Sequence, residues 1–218
     1  MKIIRSFCAL NLDIKTARAI AAEQIRLRDD CKDSGIDVRW TAPQNMHVTI
    51  SFLGNVTEPM IQSIKDSMEF TCRKFSPIEL EFSGLGAFPN PAEPQLIWVG
   101  VKEKTGALLS FHEEISKVLK ATGFKLDDKP FQPHVTIGRV KSSVPLSEEL
   151  LTPQDAPVFG RTTVKELLCY RSDLSPKGAD YYMLWKLLLR GRITQQSTYR
   201  KNQDTPSTTS TVDVDAKE

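Results

Sequence analysis

Four residues, His-Val-Thr-Ile, occur twice in this chain, at 47–50 and at 134–137, and two of the three histidines open them. Side chains two apart on an extended strand share a face, while neighbours point to opposite faces. Each copy therefore specifies a half-buried strand: Val48 and Ile50, like Val135 and Ile137, go to a packed side, and His47 with Thr49, like His134 with Thr136, go to the other. Two such strands brought together would gather two imidazoles and two hydroxyls around a ligand of phosphate size. A single His-x-Thr carries almost no information, because strands are rich in threonine. A second copy in a similar setting is harder to explain by packing alone.

The stretches between the motifs alternate in period. Ile4–Leu10 reads as a strand, with Ile4, Ser6 and Cys8 on one side and Arg5, Phe7 and Ala9 on the other. Asp13 is placed to cap a helix with a stripe of Ile14, Ala17, Ile20, Ala21 and Ile25, broken by Asp33-Ser34-Gly35. A short strand at Asp37–Trp40 and a turn at Ala42–Asn45 lead into the first motif. Pro59 opens a second helix facing inward through Ile61, Ile64, Met68, Cys72 and Phe75. From Ile78 the period becomes two, predicting a strand through Ser83, then a Gly/Pro-rich loop over Gly84–Pro94 and a strand over Gln95–Lys102. A third helix from about Thr105 carries Leu108, Phe111, Ile115, Val118 and Leu119 to Gly123. Leu146–Val158 reads as a polar surface connection, and Val164–Arg171 with Tyr181–Leu189 as a strand pair. The element order suggests two similar lobes built one after the other, each bringing one motif.

Composition sets the limits. A net charge of +2 speaks against a long nucleic-acid groove and leaves room for a local contact. The four cysteines, Cys8, Cys31, Cys72 and Cys169, lack zinc or disulfide spacing, which suits reduced thiols in the cytoplasm. Neither a signal peptide nor a membrane-spanning run is evident. Residues 1–192 are expected to form the folded domain, and 193–218, almost without apolar residues, a disordered polar tail.

Two histidines suffice for phosphodiester cleavage without a metal. With ordinary pKa values of about 6.5, one can be neutral and accept a proton while the other is charged and donates one. Thr49 and Thr136 can donate to non-bridging phosphate oxygens. Zinc, the natural rival for paired histidines, wants three protein ligands. The remaining histidine, His112, sits on the third helix beside Glu113 and Glu114 and reads as a flanking helix residue, so no metal and no cofactor are expected. Phe52 and Arg139 each lie five residues beyond a motif histidine. Strict alternation turns them away, but Gly54 and Gly138 leave room for bulges that would re-aim them, so that ring and guanidinium could clasp a base. Tyr170, Arg171 and Lys141 are further candidates for phosphate contact, with a solvated surface as the plain alternative.

The paired His-x-Thr motifs resemble those of the 2H phosphoesterase superfamily. Several other stretches resemble its RNA 2′,3′-cyclic phosphodiesterase, or 2′-5′ RNA ligase, branch: Arg39-Trp40, Asn45 through Thr49, Phe52-Leu53-Gly54, Leu85 through Pro89, Pro133 through Thr136 and Tyr170 through Ser175. The resemblance implies an α+β fold of two pseudo-symmetric lobes, each an antiparallel sheet with helices outside, forming a central cleft. It also implies metal-independent hydrolysis of RNA 2′,3′-cyclic phosphate ends to 2′-phosphomonoesters. His47 matches the family's proton donor and His134 its proton acceptor, with Thr49 and Thr136 binding phosphate. The expected partners are RNA ends or small cyclic-phosphate nucleotides, with the chain a monomer. A 2′-5′ ligase or phosphodiesterase using the same site, and a non-catalytic RNA-end-binding module, stay open as alternatives.

Overall fold

The structure, a computed structural model, describes residues 2–126, 129–142, 144–151, 157–175 and 178–191. The expected tail at 193–218 and the boundary at 192 lie outside the described residues.

The strands are β1 (Ile3–Asn11), β2 (Val38–Trp40), β3 (His47–Thr57), β4 (Ile78–Phe88), β5 (Leu96–Lys102), β6 (His134–Val140), β7 (Val158–Val164), β8 (Glu166–Ser175) and β9 (Gly178–Leu188). The helices are α1 (Ile14–Asp33), α2 (Glu58–Lys74), α3 (Ala107–Ala121) and the single turn α4 (Glu148–Leu151). The strands form an antiparallel sheet in the order β7-β4-β5-β6-β3-β1-β8-β9, with β2 pairing along β6. Both motifs begin a strand, and those two strands are the middle of the sheet. They touch at one point, Val48 opposite Val135, the second residue of each motif. That point is the seam between two lobes: β3, β1, β8 and β9 on one side, β6, β5, β4, β7 and β2 on the other.

The lobes are not consecutive halves of the chain, as the element order had suggested. The chain crosses the seam repeatedly, and the helices follow the crossing. α1, launched from β1, packs on β7 and β2 of the opposite lobe; α3, launched from β5, packs with α2 and reaches β3. Crossing lets α1 cover the far lobe, while α2, packed on β9 of its own lobe, meets α3 to close one shared core.

α1 starts where Asp13 caps it: its carboxylate accepts from the Thr16 amide at 2.8 Å and from the Thr162 hydroxyl of β7 at 2.7 Å. The buried stripe differs from the one expected, running through Ala17, Ile20, Gln24, Leu27 and Cys31, while Ile14 and Ile25 face solvent. Gln24 decides the difference. Its Nε2 donates to the carbonyls of Thr41 at 2.9 Å and Ile137 at 2.7 Å, turning the helix so that a polar residue faces the second motif strand. On α2 the inward face of Ile61, Ile64, Met68 and Cys72 is as the periodicity predicts, and Leu108, Phe111, Ile115 and Leu119 of α3 are buried.

Three further expectations are corrected. Gly84–Phe88 belongs to β4: Gly84, at φ +70°, sits at a bulge between Ser83 and Leu85, beyond which pairing with β5 continues to Phe88. Of the 146–158 connection, the part up to Leu151 is anchored rather than superficial, since Leu146, Leu150 and Leu151 are buried, and residues 152–156 lie outside the described ones. β7 was hidden inside that connection and its exit, because Val158–Val164 carries Gly160, Arg161 and two threonines and lacks an apolar run. All four cysteines are free thiols and buried.

Candidate active site

One face of the sheet carries the helices; the motif side chains stand on the other. On β3 the backbone alternates through His47, Val48 and Thr49, with Val48 fully buried and His47 and Thr49 half-buried on the open face. β6 repeats the pattern with His134, Val135 and Thr136. Since β3 and β6 are antiparallel and meet at Val48 and Val135, His47 lies on the Thr136 side of the seam and His134 on the Thr49 side. A pseudo-two-fold axis through that contact exchanges the motifs.

The two imidazoles are held alike. His47 Nδ1 donates to the carbonyl of Asn45 at 2.7 Å, and His134 Nδ1 donates to the carbonyl of Gln132, also at 2.7 Å. A carbonyl oxygen only accepts, so each Nδ1 carries the proton and each Nε2 is left as the reactive nitrogen. The two differ at Nε2: Thr49 Oγ lies 3.1 Å from that of His47, while Thr136 makes no such bond among the described residues.

Aromatic walls fix both rings. His47 stacks on Phe7 at 4.7 Å between centroids and meets the edge of Tyr181 at 5.4 Å. His134 is edge-on to Phe88 at 4.9 Å, with Trp98 at 6.4 Å. Trp98 lies flat over Gly86, where a Cβ would fall 2.2 Å from the indole ring. Burial among these rings disfavours the charged form. It lowers the His47 pKa to about 4, with further lowering from the charges of His134 and Arg139 and opposition from the Asn45 hydrogen bond. Burial also lowers the His134 pKa, again against its carbonyl bond.

Bulges settle where Phe52 and Arg139 point. Ile50 is the extra residue between the pairs Ala9–Thr49 and Cys8–Ser51, and Ile137 is the extra residue between Trp98–Thr136 and Ile97–Gly138. The same motif position is bulged in both strands, and each bulge flips the alternation. Phe52 thereby comes to the open face, 67% exposed and 6.2 Å from Phe7, which stacks on His47. Arg139 is exposed, and its charge reaches His47 and Tyr181. Phe52 lies beyond Thr49 on β3 and Arg139 beyond Thr136 on β6, so the two leave the Val48–Val135 contact in opposite strand directions.

Beside His47 opens a cleft of about 220 Å³ lined by Asn11, Gln44, Asn45, Met46, Tyr170 and Tyr181. Asn11 Nδ2 donates to the Tyr170 hydroxyl at 2.7 Å, and burial raises the pKa of both phenols. Sequence reasoning offered Tyr170 as a candidate phosphate contact and singled out none of Asn11, Tyr181, Phe7, Phe88 and Trp98 for the site. Their one signal was aromatic residues in register on flanking strands, which requires the pairing to be known. Arg171 is turned away, bonded to Asp173 at 2.9 Å and lying over the Tyr182 ring. Lys141 lies one residue beyond β6, opposite Asp37, whose carbonyl accepts from its amide at 2.8 Å. His112 is a helix-flanking residue, stacked on Phe131 at 3.9 Å. Among the described residues no group of three or more His, Cys, Asp or Glu is gathered as a metal would need, and no helix is long and apolar enough to cross a membrane.

Known proteins with this arrangement are numerous. The family model of the 2′-5′ RNA ligase superfamily matches residues 12–176. A protein of Archaeoglobus fulgidus named RNA 2′,3′-cyclic phosphodiesterase is 36% identical over 149 residues, covering 68% of this chain and 82% of its own. One of the same name from Aquifex aeolicus is 31% identical over 195 residues, covering 88% of this chain and all of its own. Among solved structures, TT0787 of Thermus thermophilus superposes with a TM-score of 0.71 at 26% identity, covering 86% of this chain and 99% of that one. Escherichia coli LigT complexed with 3′-AMP superposes at 0.70 with 19% identity, covering 86% and 99%, a likeness of fold. Given two matched motif strands at the seam of a two-lobed antiparallel sheet, and relatives that span nearly their whole length, the chain belongs to the 2′-5′ RNA ligase superfamily of 2H phosphoesterases.

Proposed function

We propose that this protein is an RNA 2′,3′-cyclic phosphodiesterase that opens the cyclic phosphate to a 2′-phosphomonoester by two-histidine acid–base catalysis without a metal. The observation that carries the reading is the matched pinning of His47 and His134 by carbonyls two residues back, which leaves two Nε2 atoms on one face beside two threonine hydroxyls. Names of relatives at 30–36% identity agree with it.

In this reading His134 Nε2, unengaged by its threonine, takes a proton from water as the oxygen attacks phosphorus. The bond from phosphorus to the 3′ oxygen breaks, and His47 Nε2 delivers the proton that oxygen needs. Thr49 and Thr136 donate to the non-bridging oxygens, whose charge grows in the transition state. The low proton affinity of His47 in the free protein is compatible with an acid role because the anionic phosphate raises it on binding. With a 5′-hydroxyl in place of water, the same forward steps would join 2′-5′ ends, and their reverse would cleave such a link back to the cyclic phosphate.

The test is incubation of an oligoribonucleotide bearing a 2′,3′-cyclic phosphate with the protein and EDTA. The expected product is the 2′-monoester alone. His47→Ala and His134→Ala should each lower the rate by ~10²-fold or more. Full turnover by either variant, or a 3′-monoester product, would sink the scheme.

A further inference from the structure

β2 pairs with β6 so that Arg39 stands directly opposite Arg139. Val38 and Trp40, its neighbours on β2, pack against the core, which leaves Arg39 on the open face with Arg139 and both exposed. Like charges directly opposite on paired strands repel. Among the described residues neither guanidinium has a carboxylate partner. Asp37 and Lys141, two residues from Arg39 and Arg139 on the two paired segments, leave this edge with three cations to one carboxylate. Nothing in the packing requires the juxtaposition: the side chain of Arg39 makes no hydrogen bond among the described residues.

Position says which anion would relieve it. Arg139 lies three residues beyond Thr136, so the pair sits about 10 Å along β6 at a strand rise of about 3.3 Å, on the side of the seam that holds His47. The charge of Arg139 reaches His47 and Tyr181, and Arg39 stands across from it on β2, along the same edge of β6 that meets β3 at the seam. If His47 protonates the departing 3′ oxygen, the terminal nucleoside lies on the His47 side, and the chain that precedes it must leave past these arginines.

Resting on that reading of the site, we infer that Arg39, set against Arg139, binds the phosphodiester on the 5′ side of the terminal nucleotide. This makes the natural substrate class an RNA chain end rather than a cyclic mononucleotide. The guanidinium fork suits such a phosphate, and the contact would be sensitive to salt.

The measurement is kcat/KM for a short oligoribonucleotide 2′,3′-cyclic phosphate and for the 2′,3′-cyclic mononucleotide of the same base, in wild type, Arg39→Gln and Arg39→Lys. The wild-type ratio should favour the oligonucleotide and fall as potassium chloride is raised. In Arg39→Gln the ratio should drop about fivefold or more, carried by KM, with partial recovery in Arg39→Lys. Thermal unfolding should be unchanged or higher in Arg39→Gln, because removing a repelling charge cannot weaken the sheet. A ratio within twofold of wild type in Arg39→Gln, or equal losses on both substrates, overturns the assignment. A wild-type protein inert toward both substrates overturns the reading of the site itself and takes this assignment with it, a result distinct from a lost preference.

Discussion

The histidines are where burial and chemistry pull against each other. His47 has its pKa lowered to about 4 by burial among Phe7, Tyr181 and their neighbours. A depressed histidine pKa means that the unfolded chain binds the proton first. Stability from this group is therefore complete above the unfolded value of about 6.5 and is lost as pH falls toward 4. At ~1.4 kcal/mol per pH unit the loss reaches up to about 3 kcal/mol. Urea midpoints at pH 7, 5.5 and 4 should fall less steeply for His47→Gln than for wild type; parallel slopes would contradict the burial argument. The same lowering at both histidines places the maximum of kcat/KM, which reports the free enzyme, on the acid side of pH 6.5. The maximum of kcat should lie at higher pH, because bound phosphate favours the protonated rings. A pH-independent rate from 4 to 9 would remove both histidines from proton transfer. The motif residues themselves were legible, because a repeat of four residues with period-two geometry specifies its own faces. The aromatic walls were not, because Phe7, Tyr181, Phe88 and Trp98 reach the rings only through strand pairing.

Elements were legible where one period ran without interruption. α2 kept Ile61, Ile64 and Met68 inward, as its spacing predicts. α1 did not keep its apparent stripe, because Gln24 donates to two backbone carbonyls; that of Ile137 also accepts from the Thr41 amide, while that of Thr41 would lose its donor if an isoleucine stood there. Gln24→Leu should therefore destabilise the fold by about 1–3 kcal/mol despite its greater hydrophobicity, read as a lower denaturant midpoint. The bulges at Ile50 and Ile137 were invisible as such, although the glycines that follow hinted at them. Gly86 offers a separate check on β4. Its close approach to the Trp98 indole leaves no room for a methyl group, so Gly86→Ala must push the ring toward His134 or out of the sheet. We expect a loss of about 1–3 kcal/mol in stability together with a slower reaction; wild-type stability and rate would mean that the indole yields freely.

For the whole molecule, the motifs implied two lobes, and two lobes are present, but the crossing of the chain between them could not be read from element order. A repeat in sequence says which strands are equivalent and is silent on which side of the seam the intervening helices settle. That placement depends on long-range packing such as Phe75 against Phe111, 5.1 Å apart. One result of the crossing concerns synthesis. β8 and β9 are made last, yet they supply Tyr170 and Tyr181 beside His47, whereas the strands flanking His134 have already left the ribosome. A nascent chain stopped after β7 would hold a finished cradle for one imidazole and an open-sided one for the other. Competence for the reaction would then arrive with the closing hairpin, and a stalled or C-terminally nicked product would be inert without any residue of either motif having been touched.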